Sequence, residues 1–296
     1  SLDSLAGSTT APTIAKQIMV SDRDRHIIAF GCDSELNIGV QDPLLIRFSS
    51  QESLTDWATR PDNTAGELKI GSGSEIVAAV ETRQQILVYT DESLYAMQFL
   101  GPPFTFGVNL VSENTTIMGP LSAVAVEDNV FWMGLKEFYS YGGTVQRLPC
   151  TVRDFVFDDF NLLQREKVVA ATNTAFSEIW WFYPSGSSDT NDRYVVYNYE
   201  QQVWYYGALA RSYWMDRGIF DNPIAAGPNN YLYTQESGFD DDGSAFTAYI
   251  ESSQMDIGDG EQFAFIKRMI PDLTFRGSTA GSPSANLTVK TRNFPG

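Results

Sequence analysis

Apolar residues along this chain gather into short alternating runs that recur in groups of three, parted by turns of Gly, Asn, Asp and Ser. In the clearest group, Ser122-Ala-Val-Ala-Val126 reads as a strand and Glu127-Asp-Asn129 as a turn. Val130-Phe-Trp-Met133 reads as a second strand and Glu137-Phe-Tyr-Ser-Tyr141 as a third, closed by Gly142-Gly143. The same order returns at Val77–Val80, Ile86–Tyr89 and Ser93–Met97, and again at Val168–Ala171, Ile179–Tyr183 and Tyr194–Tyr197. A looser copy is Ile224–Ala226, Tyr231–Tyr233 and Phe246–Tyr249. First strands begin near Ile76, Ser122, Val168 and Pro223, at spacings of 46, 46 and 55 residues. That is the period of propeller blades, so the predicted fold is all-β: a β-propeller of roughly 45-residue blades. Propellers fasten the ring by pairing N- and C-terminal strands in one blade, and strands outside this segment are expected to help close it.

The same reading divides the chain. Residues 1–22 are small and polar, with Thr9-Thr-Ala-Pro12 as an extended lead-in, and read as an N-terminal arm or linker. Residues 23–296 form the propeller domain, with blade-like units near 25–70, 71–118, 119–165, 166–215, 216–262 and 263–296. His26–Phe30 and Leu44–Phe48 are strands of the first unit, and Gly71-Ser-Gly73 is a turn. Alternation lapses over 151–167, where Asp159 to Glu166 is expected to form a short helix with an acid near its N-terminus. Ser185 to Asp192 is a long loop, and Pro184 stops the strand before it. Gln262–Ile270, Leu273–Phe275 and Asn286–Thr291 are the last strand-like stretches.

Composition fits an ordered globular protein able to bury a real core: 43% of the 296 residues are hydrophobic and 19% charged. Fourteen Tyr, nineteen Phe and six Trp suit strands packed face to face. Twenty Lys and Arg against 37 Asp and Glu give a net charge of −17, which repels nucleic-acid phosphates and anionic membranes. Two cysteines, Cys32 and Cys150, cannot build a disulfide framework or a multi-cysteine metal site, and read as buried thiols. No apolar run is long enough for a helical membrane span and the N-terminus lacks a secretory pattern, so membrane insertion is not expected. The chain starts at Ser1 without Met and reads as a segment of a longer protein.

Candidate chemistry is sparse. His26, the one histidine, reads as a boundary residue at the start of a strand, and no nucleophile elbow surrounds any Ser or Cys. The acidic stretches 240–244 and 256–261 invite a calcium reading, yet neither matches a twelve-residue EF-hand loop, and both read as solvated turns. The boxes of sialidase-type propellers, Trp-Asp repeats and repeated Kelch double glycines are missing. Trp180-Trp-Phe-Tyr183 and Trp204-Tyr-Tyr206 read as packing between blades. No catalytic residue, cofactor or metal is expected, and the chain is not expected to be an enzyme.

Several phrases together resemble one family. Leu44-Leu-Ile-Arg-Phe-Ser-Ser50 leading to Asp56-Trp57, Ile86-Leu-Val-Tyr-Thr-Asp91 with Ser93-Leu-Tyr95, and Val130-Phe-Trp-Met-Gly134 are the first of them. Leu148-Pro-Cys150, Glu178-Ile-Trp-Trp-Phe-Tyr-Pro184, Arg193-Tyr-Val-Val-Tyr-Asn198 before Trp204, and Pro271-Asp272 complete the set. Over residues 25–275 they are similar to the tail tubular or nozzle proteins of short-tailed bacteriophages, the packaged-DNA stabilisation proteins. The resemblance implies a structural virion protein of the tail, made in the host bacterial cytoplasm. It implies a β-propeller subunit of a ring, usually a hexamer, with the portal, adaptor and tail-tip or fibre proteins as partners. Double-stranded DNA would pass without specific binding, and the acidic balance would keep the genome from sticking. Asp189, Asp192, Asp240 and Asp241 are the candidate channel-lining acids. The alternatives are a carbohydrate-binding or carbohydrate-cleaving propeller at the tail tip, and a cellular protein-interaction propeller. Family members are usually much longer than this chain, with domains outside the propeller.

Overall fold

The computed structural model describes residues 10–238, 243, 249–252, 265–276, 278 and 281–291. The chain divides into two units, Ser1–Ser237 and Gly238–Gly296. The first unit is an array of antiparallel sheets in which each chain segment simply meanders. Sheet one holds β1 (Gln17–Ser21), β2 (His26–Phe30), β3 (Leu45–Phe48) and β4 (Gly66–Lys69). Sheet two holds β5 (Ile76–Glu81), β6 (Ile86–Thr90), β7 (Ser93–Gly101) and β8 (Thr105–Glu113). Sheet three holds β9 (Ala123–Val126), β10 (Asn129–Met133), β11 (Phe138–Tyr141) and β12 (Val145–Leu148). Sheet four holds β13 (Val169–Asn173), β14 (Glu178–Tyr183), β15 (Arg193–Asn198) and β16 (Val203–Ala208). Sheet five has three strands among the described residues: β17 (Tyr213–Met215), β18 (Ile224–Ala226) and β19 (Leu232–Thr234).

Each sheet is a propeller blade, and strand alternation explains why the blades stack. Successive side chains of a strand point to opposite faces, so a strand lying between two neighbours buries both. Ile86 and Val88 of β6 enter the core shared by sheets one and two, whereas Leu87 and Tyr89 enter the core shared by sheets two and three. In β10, Val130 and Trp132 face sheet two while Phe131 and Met133 face sheet four. In β14, Ile179, Trp181 and Tyr183 face sheet three while Trp180 and Phe182 face sheet five. Indole N–H groups tie the blades: Trp132 donates to the Thr116 carbonyl (3.2 Å), Trp181 to Ser122 (3.1 Å) and Trp214 to Thr172 (3.0 Å). First strands of successive sheets lie beside one another, β1 by β5, β5 by β9, β9 by β13 and β13 by β17.

The two ends of the array differ. On sheet one, Ala11 and Trp57 cover Ile27, Ala29 and Leu45, and fully buried Arg47 clasps the covering segments. Its guanidinium donates to the carbonyls of Thr10 (2.6 Å), Asp33 (3.3 Å) and Trp57 (3.4 Å). On sheet five, Trp214 and Ala225 pack against sheet four, while Tyr213 (54% exposed), Met215 (46%) and Leu232 (76%) stay open.

Four expectations change. The polar arm of residues 1–22 contains β1, because its polar side chains face sheet two: the Gln17 amide both donates to and accepts from the Ala79 main chain (2.8 Å each). Its Ile18 and Val20 are exposed, reversing the usual pattern. The looser fourth copy is out of register by one strand: Ile224–Ala226 is the second strand of sheet five, and β17 precedes it. Measured from true first strands, the spacings are 59, 47, 46 and 44 residues. The short helix expected over 159–166 is a 3-10 helix at Leu162–Lys167, with the Asn161 side chain accepting from the Leu163 amide, and an α-helix, α1 (Arg153–Asp158), precedes it. In the second unit, described residues 265–276 and 281–291 carry no strand and are largely exposed, unlike the blade expected over 263–296. Residues 246–248, the third strand of that fourth copy, lie outside the described residues.

Blade stacking makes Trp181 costly to replace. Trp181→Phe is expected to lose about 1–3 kcal/mol in denaturant unfolding, through a lost hydrogen bond and a cavity. Leu163→Ala, at a side chain 93% exposed, is expected to stay within about 0.5 kcal/mol.

Candidate functional site

The expected channel acids separate by local structure. Asp189 is exposed on the loop joining β14 to β15, where its main-chain carbonyl accepts from Lys167 Nζ (2.6 Å). Asp192 turns inward: its carboxylate accepts from the Ser185 amide and hydroxyl, both at 2.7 Å, and staples the base of that loop. Asp240 and Asp241 lie outside the described residues.

Other acids hold loops in the same way. Asp33 accepts from the amides of Thr13 (3.0 Å), Ile14 (3.2 Å) and Gly39 (2.7 Å). Burial alone would raise its pKa, but these hydrogen bonds together hold it below the ordinary value. Asp91 staples Ser74 and Glu75, and Asp216 joins sheet five to sheet four by accepting from Thr172 Oγ1 and the Thr174 amide, both at 3.0 Å.

A further polar cluster lies at one end of sheet four. Asn173 and Glu178 are opposite residues of β13 and β14, so their side chains leave the same face. Glu178 accepts from Trp180 Nε1 (2.8 Å) and from the Tyr205 hydroxyl. Just after β19, Glu236 brings a second carboxylate, whose Oε1 accepts from Asn173 Nδ2 (3.4 Å). Partial desolvation and the nearby Glu178 charge raise the Glu236 carboxyl above its ordinary value, against the Asn173 hydrogen bond. Burial and the bond to Glu178 raise the Tyr205 phenol, which stays a donor. In the sequence, Glu178 marks only the start of a strand phrase. The available signal was the short interval from Asn173 to Glu178, which makes them cross-strand neighbours; Glu236 has no local signal.

Nucleophilic and metal chemistry find little else. Burial raises the Cys32 thiol to about 12 and the Cys150 thiol to about 11, so neither is an activated nucleophile. Among the described residues no three His, Cys, Asp or Glu side chains converge as a metal cluster, and no helix is long and apolar enough to cross a membrane. A cavity of about 640 Å³ beside sheet one is lined by Val40, Leu45, Glu67 and the Asp42–Lys69 ion pair (2.5 Å). His26 lies at the start of β2 but is fully buried, correcting the boundary reading: neither ring nitrogen has a hydrogen-bond partner, and Phe48, Phe99 and Phe106 surround the ring.

No family model and no curated protein matches the chain. Among solved structures it is similar to Hsv2 from Kluyvelomyces marxianus, with 8% identity and a TM-score of 0.42 over 78% of this chain and 64% of that one. It is also similar to the extracellular domain of the one component system BT4673 from B. thetaiotaomicron, with 9% identity and a TM-score of 0.42 over 83% of this chain and 34% of that one. The N-terminal domain of Nup159 shows 10% identity and a TM-score of 0.32 over 77% and 76% of the two chains. The chain thus spans less than two thirds of the first two structures, and likenesses this distant assign no function.

His26 gives the site a pH test. Burial lowers its pKa below 6.5, against the charge of Asp24. Below pH 6.5 the unfolded chain takes up a proton that the folded chain does not, so stability falls as pH falls, by at most about 1.4 kcal/mol per pH unit. His26→Phe is expected to flatten that limb between pH 6.5 and 5 in denaturant titrations, and an unchanged slope would assign it to other groups.

Proposed function

We propose that the chain is a structural virion protein of a bacteriophage tail, part of a ring that extends the DNA channel below the portal and helps retain and eject the genome. The observation that carries this reading is the uneven blade array: one end is covered by the chain's own segment, the other presents Tyr213, Met215 and Leu232 to solvent. An open apolar sheet face suits function through neighbouring subunits. The sequence phrases similar to tail nozzle proteins supply the setting. The net charge of −17 supports a passage that does not hold DNA phosphates, with exposed Asp189 a better lumen candidate than half-buried Asp192. The partners on this reading are further copies of the chain, a portal or adaptor, and tail-tip proteins.

Electron microscopy of the purified full-length protein is expected to show rings. Leu232→Glu is expected to weaken ring assembly at least tenfold in sedimentation while leaving the melting temperature nearly unchanged, because the side chain is 76% exposed. Monomers that bind glycans on an array and never form rings would overturn the reading in favour of a carbohydrate-binding propeller.

A further inference from the structure

Glu178, Asn173 and Glu236 bring only oxygen ligands to one end of sheet four, and we propose that they form a binding site for a hard divalent cation of the calcium class. Three observations meet there. Asn173 is opposite Glu178 in the β13–β14 register, and its Nδ2 donates to Glu236. Two neighbouring like charges repel unless something positive joins them. Asn173 is also fully buried, and its Oδ1 has no hydrogen-bond partner. Turning the amide over would set Oδ1 against Glu236 Oε1 and leave Nδ2 without that acceptor, so neither orientation satisfies the group.

One cation answers both problems. It neutralises the carboxylate pair and takes the free lone pairs of Oδ1. Trp180 and Tyr205 each engage one oxygen of Glu178, fixing the carboxylate's orientation and leaving lone pairs for a metal. A donor set of two carboxylates and an amide oxygen, with no nitrogen or sulfur, suits calcium rather than zinc or copper. Calcium accepts irregular geometry and can fill its remaining positions with water, whereas magnesium demands a near-ideal octahedron. With two carboxylates, affinity belongs in the range of weak extracellular modules, roughly 10⁻⁴–10⁻³ M. The site would cross-link sheet four to the segment after β19 of sheet five.

Trp180 supplies the readout, because its indole lies against Glu178. Titrating terbium into the full-length protein with tryptophan excitation is expected to give sensitised emission that millimolar calcium displaces. Glu236→Gln, at an exposed position, and Glu178→Gln are each expected to weaken that binding at least tenfold. Asp189→Asn, an exposed acid elsewhere, is expected to leave it unchanged, which separates the site from general attraction to an acidic surface. Calcium is further expected to raise the melting temperature of the wild type but not of Glu236→Gln. Absent emission, emission that calcium does not displace, or emission that survives Glu236→Gln would overturn the proposal.

Discussion

Everything in the first unit depends on central strands that are buried on both faces. β6, β10 and β14 divide their side chains between two cores, so each sheet is half of two interfaces at once. Full burial of a large apolar side chain is worth about 1.5–3 kcal/mol, and these strands carry several each. An indole N–H is a polar group that must find an acceptor when buried. The structure meets that demand by aiming Trp132, Trp181 and Trp214 at main-chain carbonyls across the blade boundary. The same residues therefore fill the cores and set the register of one blade on the next.

Much of this was legible in the sequence because blade strands make continuous apolar runs at a fixed period. Sheets two to four fall within the expected units, and Pro184 does follow the last residue of β14. The failures have physical reasons. β1 faces its neighbour with Gln17 and Ser21 and turns Ile18 and Val20 outward, so its hydrophobicity pattern reads as a polar arm. β17 is three residues long and lies among Arg211, Ser212, Asp216 and Arg217, which hid it and shifted the last blade by one strand. His26 looked like a boundary residue because its strand is preceded by charges, yet aromatic rings from sheets one and two enclose it. The cluster joins Asn173 and Glu178 of sheet four to Glu236 in the segment after β19, and no local spacing reveals the approach of Glu236.

The acidic balance also reads differently in three dimensions. Asp33, Asp91, Asp192 and Asp216 accept main-chain N–H groups at loop bases and sheet junctions, where a carboxylate binds more strongly than a neutral acceptor. These acids organise the connections that present the blades. A carboxylate keeps its charge when it accepts hydrogen bonds, so these acids and exposed ones such as Asp189 together shape the field outside the fold. The function proposed above, exercised through neighbouring subunits, would draw on both: hydrogen-bonded connections, and a surface charge that keeps polyanions away.

Amide hydrogen exchange on the purified protein tests the central claim most directly, because exchange reports how each segment's opening relates to global unfolding. The doubly buried strands β6, β10 and β14 are expected to open only on global unfolding, while β17–β19, with one face exposed, exchange faster. Equal protection across all five sheets, or faster exchange in β14 than in β18, would contradict an array held together by its central strands.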